Sequence, residues 1–127
     1  MAAVRRYFFR RENRVLKRRD YLDAYENGRM YKRRAARVFV LAREPASLPT
    51  RLGITASSKV GGAVQRNRLK RIAREVFRLA LPDLRPGYTL IVNYHRAAVE
   101  MDSAQIREQL HSIWREAGLS RDDPAGD

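Results

Sequence analysis

The sequence predicts an α+β fold, a two-layer sandwich of helices packed on one sheet. Three observations lead there. Val38-Phe39-Val40-Leu41, the alternating run Arg51 to Ser57, and Leu90-Ile91-Val92 are rich in β-branched and aromatic residues and read as strands. Three other stretches repeat their apolar residues at helical spacing. The two kinds of pattern follow one another as helix, two or three strands, helix, strand, helix, with no internal repeat and no domain boundary. The chain has 127 residues, 44% of them apolar, which is enough for one domain with a real core. We take residues 1–127 as one unit, ordered over about 8–119, with a flexible N-terminal arm and a flexible acidic tail from Ser120.

Met1 to Arg19 is cationic, with Tyr7, Phe8 and Phe9 set among Arg5, Arg6, Arg10 and Arg11. Rings among cations suit single-stranded nucleic acid; they equally suit a small apolar anchor on the domain. Asp20 to Asn27 reads as a short helix ended by Gly28 as a C′ residue. Tyr21 and Tyr25 lie four apart and share a face, while Leu22 and Leu16 are expected in the core. Spacing alone favours packing for the tyrosine pair over a stacking role. Gly28 to Arg34 is a basic connection with room for a short strand, followed by a strand over Ala36 to Arg43. Two prolines place a loop at Glu44 to Pro49. In the next strand Leu52, Ile54 and Ala56 take one face and Gly53, Thr55 and Ser57 the other. That second face is small enough for something to lie across it.

The longest helix follows Gly61-Gly62 and closes at Pro82. Leu69, Ile72, Ala73, Val76, Leu79 and Ala80 fall within one arc. Arg66, Asn67, Lys70, Arg71, Arg74 and Arg78 fall opposite, with Arg68 on the flank and Glu75 the one acid among them. A helix this basic repels itself, so burial of its other face must hold it. Pro86-Gly87 turns into a strand over Tyr88 to Tyr94. Strand, long helix and strand imply a crossover, so the two strands are expected parallel. Asp102 or Ser103 caps the last helix, with Gln105 in the capping-box position. Ile106, Leu110, Ile113, Trp114 and Ala117 form its apolar stripe, ended by Gly118.

The formal net charge is +13 and the pI near 11.1, which implies a densely negative partner. No catalytic constellation appears. His95 and His111 match no metal spacing, carboxylates are sparse, and there is no cysteine for a disulfide or thiolate site. No protein-bound cofactor or metal is expected. No apolar run approaches the roughly 20 residues of a membrane span. No helix-turn-helix spacing points to DNA. Clustered arginines favour phosphate forks on structured RNA. The reading is of a mature, soluble RNA-binding protein of the cytoplasm.

The spaced run Arg51-Leu52-Gly53-Ile54-Thr55, then Ser57, Lys59-Val60-Gly61, Ala63-Val64, Arg66-Asn67-Arg68, Lys70-Arg71, Arg74-Glu75 and Phe77-Arg78 closely resembles the bacterial ribonuclease P protein component. Asn13-Arg14, Arg19-Asp20-Tyr21, Pro86-Gly87-Tyr88 and the closing helix fit as well, so the resemblance covers about residues 8–119. It implies a fold like the second domain of ribosomal protein S5, with a left-handed βαβ crossover. It implies a non-catalytic subunit of an endoribonuclease that removes the 5′ leader of precursor tRNA. The chemistry is then carried by the RNA subunit with Mg2+. Its partners would be ribonuclease P RNA and precursor tRNA, with no membrane and no DNA. Another structural RNA-binding protein of S5-like fold is the alternative. By position, the resemblance makes Lys59, Arg66, Asn67, Arg68, Lys70, Arg71 and Arg74 the RNA-facing set. It makes Tyr21, Tyr25, Val40, Thr55 and Ser57 the lining of a leader cleft, which reverses the packing preference for the tyrosines. Ser58 stands where the family often has a second lysine, and Ala42 where some members have a tyrosine.

Overall fold

The computed structural model describes residues 9–121, so Tyr7, Phe8 and the tail from Asp122 lie outside the described residues, while Ser120 bridges to Leu84 and the Arg121 N–H donates to the Asp83 carbonyl at 2.6 Å. Its elements are α1 (Arg18–Asn27), β1 (Arg29–Lys32), β2 (Ala36–Ala42), β3 (Arg51–Thr55), α2 (Ala63–Ala80), β4 (Tyr88–Tyr94) and α3 (Ser103–Glu116). The strands form one sheet in the order β1-β2-β4-β3. The β1–β2 and β2–β4 pairs are antiparallel, and β3–β4 is parallel, as the crossover through α2 requires. In register, Phe39 meets Ile91, and Ile91 meets Gly53.

Strand alternation divides the molecule into two apolar clusters. Val38, Leu52, Leu90 and Val92 point to the face covered by α2 and α3, where they join Leu69, Phe77, Ile106, Leu110, Ile113 and Trp114. Ile91 points to the other face, where it packs with Val15 and Ala24, bordered by Tyr21, Tyr25, Phe39 and Leu41. The first cluster holds the domain together; the second seats α1.

Several local expectations need correction. Leu16 and Leu22, expected in the core, are 53% and 49% exposed. The tyrosine face of α1 wins the sheet instead, because two rings bury more apolar area than one leucine. On α2, Leu79 is 53% exposed, whereas Phe77 is fully buried and receives the edge of Phe9 at 5.7 Å between ring centroids. For Phe9 the anchor role therefore holds. Gly28 follows α1 with φ −82°, an extended backbone rather than a left-handed cap. Closeness explains it: a Cβ there would meet the Ala24 carbonyl oxygen at 2.5 Å. At α3, Asp102 is the cap. Its Oδ1 accepts from the Gln105 N–H at 2.8 Å, and the Gln105 side chain accepts from the Asp102 N–H at 3.0 Å. Among the described residues, no helix is long and apolar enough to cross a membrane.

Candidate nucleic-acid interface

The first surface is the outer face of α2. Gly62 precedes it, and the Gln65 side chain turns back to accept from the Gly62 N–H at 2.8 Å. Leu69, Ile72, Ala73, Val76 and Phe77 anchor the inner face. That leaves Asn67, Arg71 and Arg74 exposed, with Arg66 and Lys70 half-buried beside them. Glu75 does not neutralise this array, because it reaches across to Arg107 of α3 at 3.8 Å. The array is therefore a dense row of cations on a rigid rod.

Arg68 departs from the expected set. Its Nη2 donates to the Met101 carbonyl at 3.0 Å and approaches Ser103 Oγ at 3.5 Å. It pins α2 to the start of α3, so its guanidinium is turned into the fold. Lys59 is exposed and lines a polar groove of about 620 Å³ with Ser58, Gly61, Gln65, Arg96 and Glu100, continuous with the start of α2.

The second surface lies between α1 and the sheet. Asp20 meets Arg51 at 3.3 Å, and Arg51 Nε donates to Thr89 Oγ1 at 2.9 Å, so the first turn of α1 is tied to β3 and β4. Tyr21 lies close against Gly53; a Cβ at that glycine would come within 2.8 Å of the Tyr21 ring. Here the small face of β3 is occupied by a ring of the same chain. Tyr25 meets Phe39 edge to face at 4.9 Å. Its hydroxyl donates to Asn93 Oδ1 at 3.0 Å, and Thr55 Oγ1 donates to the same oxygen at 2.6 Å. Burial pushes the Tyr21 phenol above its ordinary range; a hydrogen bond with the Ile54 backbone opposes this, and Tyr25 adds to it. Arg18, Tyr21, Leu22, Tyr25 and Thr55 line an open cleft of about 420 Å³. Both tyrosines remain half-buried, so each ring packs on the sheet and still presents surface to the cleft.

Two expected cleft residues are placed elsewhere. Val40 points to the opposite face of β2, into the main core, and Phe39 takes the position on the α1 side. The period of two explains this, since neighbours on a strand face opposite ways. Ser57 is exposed beyond the end of β3 and does not line the cleft. Asn93 and Arg18 escaped the sequence reading. For Asn93 a signal existed: it shares a face with Thr89 and Ile91 along β4, and a polar residue there marks where the covered part of the sheet ends.

Comparison with known proteins points to one family. A family model described as Ribonuclease P matches residues 9–118. A ribonuclease P protein component of Symbiobacterium thermophilum is 40% identical over 106 residues, covering 84% of this chain and 91% of the relative. One from Dictyoglomus turgidum is 35% identical over 115 residues, covering 89% and 95%. Among solved structures, the RNase P protein of Staphylococcus aureus superposes with a TM-score of 0.79 at 29% identity, covering 85% of this chain and 97% of that one. The RNase P protein of Thermotoga maritima gives 0.72 at 28%, covering 81% and 96%. With the α2 array and the tyrosine cleft on one α+β scaffold, and relatives matched over nearly their whole length, the chain belongs to the ribonuclease P protein family.

Proposed function

We propose that the chain works as the RNA-binding subunit of a ribonuclease P holoenzyme whose RNA subunit performs the hydrolysis. The single observation that carries this reading is the pairing of two chemically different surfaces. The outer face of α2 offers Arg66, Asn67, Lys70, Arg71 and Arg74 with no ring among them, which suits the phosphates of folded RNA. The cleft offers Tyr21 and Tyr25 with Arg18 at its rim, which suits a single strand whose bases are free to stack. A 5′ leader is such a strand. Held there, it would add binding energy to the tRNA body and fix the approach of the scissile bond to the RNA subunit.

In this reading Mg2+ serves the hydrolysis on the RNA subunit. The protein's part is then to bind and position, and to offset phosphate repulsion between the two RNAs. We place this work in the cytoplasm, with the precursor tRNA. The test is cleavage of precursor tRNA by the RNA subunit at low magnesium, with and without the protein. Strong stimulation by the protein is expected; equal rates would overturn the proposal.

A further inference from the structure

Three grooves meet around the outer edge of β3, where the Val15 N–H donates to the Leu52 carbonyl at 3.0 Å. The tyrosine cleft shares Tyr21 with a small groove bordered by Arg14, Leu16, Lys70 and Arg74. That groove shares Arg14 and Leu16 with a larger one of about 690 Å³, where Arg10, Arg11, Arg14, Arg43 and Arg51 converge. Three of these five are held in place. Arg14 donates to the Phe9 carbonyl at 2.8 Å and lies 5.0 Å above its ring. Arg43 donates to the Pro49 carbonyl, and Arg51 to Thr89. Two carboxylates face them, Glu12 in the groove wall and Asp20 on Arg51. Burial and the neighbouring Arg51 hold Arg43 below the ordinary arginine range, with Asp20 opposing. The groove is thus lined by five arginines and one acid, with a second acid, Asp20, held on Arg51, which leaves a net positive charge.

An anion on this patch would offset its net positive charge, and its chemistry can be narrowed. Among the described residues no aromatic side chain lines the groove, so its described wall lacks the stacking surfaces of the tyrosine cleft. Fixed guanidinium forks match phosphate oxygens, and they suit an RNA whose bases are already paired. Through Arg14 the patch runs on to Lys70 and Arg74 of α2. We propose that this arginine groove is a second dock for the RNA subunit, gripping the phosphates of a base-paired segment. The inference rests on the holoenzyme reading above and extends its RNA-facing surface from α2 around β3.

The test replaces Arg10, Arg11 and Arg43 together with glutamine in the full chain and titrates it with purified ribonuclease P RNA over a salt series. Affinity is expected to fall by on the order of tenfold, and the slope of log affinity against log salt to shrink by about 2–3. In the reconstituted enzyme, the affinity ratio of leader-bearing to leaderless tRNA should stay as in the wild type. An unchanged salt slope, or a loss confined to leader-bearing substrate, would overturn the proposal; the latter would make the groove a single-strand site. Arg10→Gln with Arg11→Gln, both exposed, guards against misfolding: the slope should shrink by about 1–2 with the melting temperature unchanged. Wild-type protein that failed to bind the RNA at all would overturn the holoenzyme reading itself.

Discussion

At Gly53 a missing side chain makes room for a ring. The Tyr21 ring occupies the space a Cβ would need, with Ile91 Cδ1 equally close at 2.8 Å. Gly53→Ala should displace Tyr21 and weaken binding of leader-bearing substrate while leaving leaderless tRNA unaffected. Removing both rings, Tyr21→Ala with Tyr25→Ala, should cost about 1–3 kcal/mol per lost stack in leader-dependent affinity. Equal loss with leaderless tRNA would contradict the cleft assignment. Asn93 acts by a different route. It accepts from Tyr25 and Thr55 with one oxygen, so it sets the tilt of the Tyr25 ring and the floor of the cleft together. On the opposite face, the buried Tyr94 phenol is held well above its usual range by desolvation, with the Arg68 charge partly opposing. A raised phenol pKa adds stability that is fully present below the unfolded value near 10 and is lost as pH rises beyond it. Melting temperature should therefore drop on going above about pH 10, and Tyr94→Phe should flatten part of that drop. An identical pH profile for the variant would contradict it.

Among the elements, α2 carries two duties on opposite sides. Its inner face is packed by Leu69, Ile72, Ala73, Val76 and Phe77, and this burial is what allows the outer face to hold cations that repel one another. Neutralising Arg66, Arg71 and Arg74 together should reduce the salt slope of RNA binding by about 2–3 while leaving or slightly raising stability. A large fall in stability would mean that these side chains support the fold instead. Arg68 belongs to the other class. Arg68→Ala should loosen the junction of α2 with α3, since the Met101 carbonyl loses its donor at 3.0 Å, at a cost of about 1–3 kcal/mol in thermal or denaturant unfolding. At α3, the reciprocal bonds of Asp102 and Gln105 make the start of the helix independent of its packing. Asp102→Ala should cost about 1 kcal/mol, measured the same way.

Across the whole molecule, β3 is the hinge of the design. It is the edge strand, parallel to β4, and the chain leaves it directly into α2. Its small face receives α1 while its apolar face receives α2 and α3. The cleft and the cationic rod therefore sit on either side of one strand, close enough to serve one RNA assembly. The amino-acid order alone determined much of this. Period-two and helical patterns fixed which segments become strands and helices, because local backbone preference and one-sided burial act within a few residues. The spacing around Arg66-Asn67-Arg68 likewise carried the family. Only tertiary structure decided which cations face outward and which rings line the cleft. Arg68 looks like its neighbours in sequence, and its role changes because Met101, 33 positions on, offers a carbonyl there. Val40 and Phe39 exchange roles because the register with β4, not composition, sets which face of β2 meets α1. Long-range packing fixes these choices: it pairs groups distant in sequence whose burial or charge no local window contains.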